Sequence, residues 1–256
     1  MTPQREDQLL EAANTLLDAR RTLQPIPDLP EPLRPASTEE VDYIQTILAE
    51  AFGDIGGWKV GAGSLEATPA CAPMPRAWIA PSGSTLGSAS HRFRGLEAEI
   101  AFLLKADLPP RDTLYSDDEV YAAVESCHPA IEILESGLLN PVDPGVRMSK
   151  DADLQMHGGF LYGAAYADWK SVDFSKEKVM IAVDGAIRFE GAGSFTSGNL
   201  LRLLPWLANS AAARTGGLYA GQWITTGSWT GYTLALSGSA ADAHFSTIGE
   251  VALRFE

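Results

Sequence analysis

At Trp58 the hydrophobic rhythm of this chain changes, and that change constrains the fold more than any other feature. Before it, Leu9, Leu10, Ala13, Leu16 and Leu17 recur at helical spacing and predict an amphipathic helix over about residues 4–21, ending near Arg20 and Arg21. In the following PIPDLPEPLRP, five prolines (Pro25, Pro27, Pro30, Pro32 and Pro35) exclude a regular helix or central strand and leave an extended strap. Ser37 and Glu40 have capping-box spacing, and Val41, Ile44, Leu48, Ala51 and Phe52 then predict a second helix stopped by Gly53, Gly56 and Gly57. Beyond Trp58 come short apolar or alternating segments, WKVGA, EIAFLL, AIEIL, FLYGAA, VMIAV, QWITTG and EVALRF, separated by Gly, Pro, Ser and Asp as in a β-rich body. Asp184-Gly185 predicts a tight hairpin, since a primed turn needs positive φ at its centre. Two helices interrupt this body, one begun by Ser116 and Glu119, the other over about residues 200–214 and closed by Gly216 and Gly217. The expected class is α+β: residues 1–57 helical, residues 58–256 a β-rich catalytic body, one structural domain overall with a mostly antiparallel sheet system.

A chain of 256 residues with 45% apolar content can bury a sizeable core. Its 33 acidic against 19 basic side chains give a net charge of −14, which opposes phosphate backbones and anionic membranes. An anionic substrate meets a repulsive field unless a metal, lysine or arginine reverses the sign at the site. Cys71 and Cys127 form neither a CxxC nor a zinc-finger spacing, so two free thiols in a reducing compartment are expected. The N-terminal MTPQREDQLLEAANTLLDARRTL lacks the apolar core of a secretory signal, and no stretch approaches the ~20 apolar residues of a membrane span. The expected location is the cytoplasm.

The chemistry concentrates in RGLEAEIAFLLKADLP. In a strand, Glu97 and Glu99 share one face, whereas in a helix they point ~200° apart. A solvated strand face is one reading of this pair. The other is a buried pair, because Ala101 and Leu103 continue the same face, and buried carboxylates that close must share a proton or bind a cation. Glu132, in HPAIEILES, lies between Ile131 and Ile133, on the face opposite to both. Three carboxylates from two strands make a hard-cation site that leaves about half of an octahedral Mg²⁺ or Mn²⁺ sphere to water and substrate. Lys59, in GGWKVGAGS, either snorkels to the surface, pairs with a substrate carboxylate, or moves protons with a depressed pKa.

Other chemistries fail on spacing. GSWTG at residues 227–231 puts Trp229 where a nucleophile elbow needs serine. There is no Walker A sequence, and Gly61-Ala62-Gly63 lacks the third glycine of a dinucleotide fingerprint. His91, His128, His157 and His244 show no HExxH spacing; His157, near Asp153, is either a site residue or an ordinary polar side chain. Tryptophans such as Trp58, Trp78, Trp206 and Trp229 belong to the core or line an apolar pocket.

The order GWKVGAGS, LEAEIAFLL, HPAIEIL, DADLQMHGGFLYGAA and LLRLLPWLANSAAARTGGLYAGQWITTGSWTG resembles the 2-keto-4-pentenoate hydratase and 4-oxalocrotonate decarboxylase group of the fumarylacetoacetate hydrolase superfamily, over nearly the whole chain. The resemblance implies a mixed β-sandwich roll with a helical N-terminal part. It also implies Mg²⁺ or Mn²⁺ on Glu97, Glu99 and Glu132, with Lys59 as the family lysine. The metal would chelate the carboxylate and 2-oxygen of a 2-hydroxy-dienoate or 2-oxo acid, stabilising the enolate needed for conjugate addition of water or loss of CO₂.

Three departures from the family pattern bear on proton transfer: CAPMPRAWI offers no acid after the lysine segment, Asp153-Leu154 replaces an Asp-Asn pair, and Gln222 stands where an aspartate is usual. The leading expectation is a metal-dependent lyase hydrating 2-hydroxy-2,4-dienoates, with Lys59 and His157 as candidate catalytic groups and Lys59, Ser228 and Thr230 as candidate substrate contacts. The alternatives are 4-oxalocrotonate-type decarboxylation, acylpyruvate C–C hydrolysis with His157 as base, and a weakly catalytic binding subunit. The expected partner is a small 2-oxo or enol acid, with neither nucleic acid nor membrane, and the family implies a homo-oligomer in aromatic catabolism.

Overall fold

The computed structural model describes residues 1–193, 199–210 and 212–256. At the N-terminus the Thr2 hydroxyl accepts from Arg5 N at 3.3 Å, and Pro3 occupies the first turn, where no amide hydrogen is needed. Helix α1 (Pro3–Thr22) buries Leu9, Ala12, Ala13 and Leu16 against Ile44 and Leu48 of α2 (Thr38–Phe52). Leu10, expected on this face, is 44% exposed, and Ala12 takes its place. The Ser37 hydroxyl accepts from Glu40 N, and Gly53 ends α2 at φ 111, as its position predicts. The proline strap runs extended apart from a short turn at Glu31–Leu33. It is fastened by Ile26 N to Gly137 O at 2.9 Å and Leu139 N to Ile26 O at 2.7 Å.

The strands follow as β1 (Ile55–Gly61), β2 (Ala70–Pro75), β3 (Ile79–Pro81), β4 (Thr85–Leu86), β5 (Gly95–Leu104) and β6 (Val124–Leu134), with α3 (Asp117–Ala123) capped by Ser116 before β6. After α4 (Arg147–Ala152) come β7 (His157–Tyr162), β8 (Lys178–Val183) and β9 (Ala186–Ala192). Helix α5 (Leu203–Asn209) precedes β10 (Trp223–Thr225), β11 (Thr233–Leu234), β12 (Ala240–Phe245) and β13 (Gly249–Phe255). Asp184 at φ 52 and Gly185 at φ 75 make the primed turn between β8 and β9. The helix expected over residues 200–214 is shorter: α5 is flanked by 3₁₀ turns, and Ala211 lies outside the described residues.

One sheet has the order β2-β1-β10-β5-β6-β7-β3, with β11 also on β5; the other has the order β4-β13-β12-β8-β9. Most pairs are antiparallel, but β1 with β10, β3 with β7, and β4 with β13 run parallel, so both sheets are mixed. Leu96, Ala98, Ile100 and Phe102 of β5 and Ile131 and Ile133 of β6 meet Ile181, Ala243, Val251 and Leu253 of the second sheet in the main core. The alternate face of β5 and β6 turns away from that core, toward the side where α1, α2 and α4 pack. Gly57 sets the spacing of β1 and β10: a Cβ there would lie 2.4 Å from Trp223 O. Cys71 and Cys127 are free and buried, and no described helix is long and apolar enough to cross a membrane.

Candidate metal centre

Strand alternation puts Glu97 and Glu99 together on the face of β5 that looks away from the intersheet core, and register brings the third acid to them. Glu97 stands directly opposite Glu132 in the β5–β6 ladder. Carboxylate oxygens of Glu97, Glu99 and Glu132 all lie within 4.8 Å of one another. Glu99 is 1% exposed and Glu132 is fully buried, so water cannot screen their repulsion. Glu97 is half-buried, so the pair runs from a buried acid to one at the cavity's edge.

The protonation states follow from that crowding. Burial, then Glu132, push Glu97 up to about 7. Burial, then Glu132 and Glu97, push Glu99 well above the carboxylate range, although Thr225 Oγ1 and Gly227 N at 3.0 Å donate to its Oε2. Glu132 goes the other way: burial alone would raise it, but Lys59 and His157 hold it at about 2. Its Oε1 accepts from Lys59 Nζ at 2.8 Å and His157 Nδ1 at 2.9 Å, while Oε2 is buried without a partner. Converging carboxylates, two of them driven toward neutrality and a third with a bare buried oxygen, fit a hard cation.

Lys59 projects from β1 beside Thr225 of β10 and also donates to Gln155 O at 3.1 Å. Burial would lower its pKa, but Glu132, Glu97 and Glu99 outweigh burial and raise it. The ammonium form is thus favoured, contrary to the depressed pKa considered for it. Its acceptor on Gln155 belongs to an unusual turn: Leu154, Gln155 and Met156 all have positive φ, of 51°, 51° and 66°. Each left-handed non-glycine residue costs about 1–2 kcal/mol, so the surrounding packing must hold this turn against its local preference.

His157 opens β7 and is fully buried, with Nε2 unpartnered and its ring 5.8 Å from that of Trp78. Burial lowers its pKa, so the neutral ring with Nδ1–H donating to Glu132 is the consistent form. The chain around it is fixed by Arg20 of α1, which donates to His157 O at 2.9 Å, Glu135 O at 3.0 Å and Asp153 O at 2.9 Å. Asp153 pairs with Arg20 at 2.5 Å and also accepts from Ser136 Oγ and Gly137 N, so its carboxylate is engaged in holding the loop.

A cavity of about 350 Å³ reaches the triad at Glu97 and is lined by Lys59, Glu97, Gln155, Tyr232, Arg147 and Lys150 among others. Ser228 is half-buried, with its Oγ covered, and lowers the Glu97 pKa against burial, yet that Oγ reaches full hydrogen-bonding geometry with no group. Thr230 accepts from Ala98 N at 3.1 Å and donates to Gly231 O at 2.7 Å, which fastens its loop to β5 and leaves no free donor for a ligand. Gln222 bonds Tyr219 N and Ile55 O, and CAPMPRAWI is largely strand β2, an edge partner of β1. Thr225, the Gln155 carbonyl, Arg147 and Lys150 escaped the sequence reading. The TTGS segment that begins with the last residue of β10 was the one signal available for Thr225.

No protein-family model matches the chain. It is 29% identical over 160 residues to 2-hydroxyhexa-2,4-dienoate hydratase of Comamonas testosteroni, and 30% identical over 161 residues to 4-oxalocrotonate decarboxylase of Pseudomonas putida. Each match covers 62% of this chain and 59% of the relative, so the chain is matched to less than two thirds of these curated relatives' length. The solved 4-oxalocrotonate decarboxylase of Pseudomonas putida G7, complexed with magnesium and adipate, superposes with a TM-score of 0.84 at 24% identity, covering 100% of this chain and 99% of that one. A fumarylacetoacetate hydrolase family protein of Yersinia pestis CO92 superposes with a TM-score of 0.57 at 18% identity, over 78% of this chain and 91% of that one. The fold is that of the fumarylacetoacetate-hydrolase-like proteins.

Proposed function

We propose that this chain, which has the fumarylacetoacetate-hydrolase-like fold and is a sequence relative of these hydratases and decarboxylases, is a divalent-metal-dependent hydratase (a lyase) acting on a 2-hydroxy-2,4-dienoate. One observation carries the reading: Glu97, Glu99 and Glu132 converge within 4.8 Å beside a cavity that Glu97 and Lys59 line, with Lys59 paired to Glu132. These three carboxylates would hold Mg²⁺ or Mn²⁺, and the magnesium in the related decarboxylase structure supports that choice. Bound there, such a cation supplies positive charge beside the substrate's carboxylate and 2-oxygen and favours negative charge developing on that oxygen.

The chain's own groups set up the rest. Lys59 has three N–H bonds; two go to Glu132 and Gln155 O, and the third is available to a substrate carboxylate in the cavity. Ser228 Oγ offers a further buried donor next to Glu97. His157 is a positioning residue, fixing which oxygen of Glu132 faces the cation. The net reaction adds one water: the 2-hydroxyl proton leaves as the 2-oxo group forms, protons arrive at C3 and C5, and hydroxide arrives at C4.

Decarboxylation of an oxo-dioic acid is the second reading, supported by the 30% identity to 4-oxalocrotonate decarboxylase. Acylpyruvate hydrolysis needs His157 to meet water, and its burial and bond to Glu132 count against that role. A cytoplasmic homo-oligomer is the setting we propose, on the two free thiols and on exposed apolar side chains such as Leu139, Val142 and Leu234. The test is the ultraviolet absorbance of 2-hydroxypenta-2,4-dienoate with the protein and Mg²⁺. Loss of the diene with formation of a 4-hydroxy-2-oxo acid, stopped by chelator, is expected. Intact diene in metal-loaded protein, with 2-hydroxyhexa-2,4-dienedioate left intact as well, would exclude the hydratase and favour decarboxylation or a binding role.

A further inference from the structure

The cavity that Glu97 and Lys59 line is also lined by two cations of α4. Helix α4 presents Arg147 and Lys150 to it; three residues apart, they project from neighbouring positions on one side of the helix. Among the described residues their one ion-pair partner is Asp151, at 3.8 Å from Arg147 Nε and 3.5 Å from Lys150 Nζ. Both separations exceed hydrogen-bonding distance, and among the described residues neither cation donates a hydrogen bond. Two cations against one carboxylate leave a surplus positive charge with free donors, in a chain whose net charge is −14. Lys150 is only 31% exposed, so it is largely covered by the cavity wall, while Arg147, at 78%, stands at the mouth.

We infer that Arg147 and Lys150 bind a distal carboxylate, so that the substrate is a dioic 2-hydroxy-dienoate or 2-oxo acid. The inference rests on the proposed 2-oxo-acid reading, with the triad and Lys59 taking the proximal end. Three carboxylates, a divalent cation and Lys59 sum to zero charge, which leaves the proximal end suited to one substrate carboxylate. The α4 end, at plus one, is suited to the other. The pairing also bears on the reaction. A carboxylate departs as neutral CO₂ most readily from surroundings that do not favour its charge, whereas two cations with unused donors stabilise it as an anion. A distal carboxylate held at α4 is therefore retained while water adds elsewhere, which favours hydration of a dioate over its decarboxylation.

The test is calorimetric titration of the full chain in saturating Mg²⁺ with 2-oxoadipate and with 2-oxohexanoate, which differ only in the distal carboxylate. The wild-type protein is expected to bind 2-oxoadipate at least about tenfold more tightly, the scale of one or two charge-assisted bonds, and the Arg147→Ala/Lys150→Ala variant to lose that preference. A wild-type ratio near one, or a preference that survives in the variant, overturns the inference. If neither acid binds although Mg²⁺ does, the 2-oxo-acid reading falls and this inference with it. If the preference is present and lost as expected while no dienoate is hydrated, the distal site stands and only the hydratase reading falls.

Discussion

Glu132 divides its work between its two oxygens: Oε1 takes Lys59 and His157, and Oε2 is left bare beside Glu97 and Glu99. A hydrogen-bonded neighbour that orients a metal ligand is worth roughly 10–100-fold in affinity, so His157→Ala should weaken Mg²⁺ binding by about that factor in a calorimetric titration. Unchanged affinity would remove His157 from the site. Glu99 makes a sharper case, because in the metal-free chain its burial and its two acidic neighbours already favour the protonated form. Glu99→Gln imitates that form and should leave the melting temperature in chelator nearly unchanged. The same variant should lose the metal-dependent stabilisation of the wild type, about 3 kcal/mol at a metal concentration 100 times Kd. An equal metal-induced shift in both proteins would mean that Glu99 is not a ligand. These acids were legible in sequence because strand alternation alone puts Glu97 and Glu99 on one face. Lys59 was legible as a lysine among apolar and glycine neighbours. Arg147, Lys150 and the Gln155 carbonyl were not, since their place depends on how the segment after β6 returns across the sheet.

Among the elements, the α1–α2 pair is fastened at its open end by Arg5, which bonds both oxygens of Glu40 at 2.8 and 2.7 Å as well as Pro32 O and Arg34 O. The bond to Arg5 overrides burial and, with Ala36 N, holds the Glu40 carboxyl at about 2, below its ordinary 4.5. The pair's contribution is therefore complete above about pH 4.5 and is lost as pH falls toward 2. Urea denaturation should find Glu40→Gln less stable than wild type by about 1 kcal/mol at pH 7, with the difference vanishing near pH 2; a pH-independent difference would refute the ion pair as its cause. In the sheet, Gly57→Ala would drive a Cβ into Trp223 O, so a loss of roughly 1–3 kcal/mol with a disturbed β1–β10 register is expected in the same assay. Helices α1 and α2 were readable because caps and apolar spacing agree with their packing. The segment at Ala70–Pro75 was not read as a strand, because Pro73 and Pro75 argue against a central strand, and it survives as β2 at the sheet's edge. The stretch at 200–214 looked like one helix because it is rich in leucine and alanine up to Gly216, but α5 ends at Asn209.

At the scale of the molecule, one sheet does two things with its two faces. The face toward the second sheet carries Leu96, Ile100, Phe102, Ile131 and Ile133 and makes the core, while the other carries Glu97, Glu99 and Glu132. Because side chains alternate, the apolar run that stabilises the sandwich also fixes where the acids point, so the site and the core share one pattern. The sequence pattern therefore revealed the class, the two N-terminal helices and the acidic face. The pairing of Glu97 with Glu132 waited on the register, which no local spacing specifies. The account's central claim is that this acidic face is a divalent-metal site. It is tested most directly by anomalous diffraction from crystals soaked in Mn²⁺. A single strong peak at coordination distance from carboxylate oxygens of Glu97, Glu99 and Glu132, absent in Glu99→Gln, is the predicted result. A peak elsewhere, or no peak at these three residues, would contradict it.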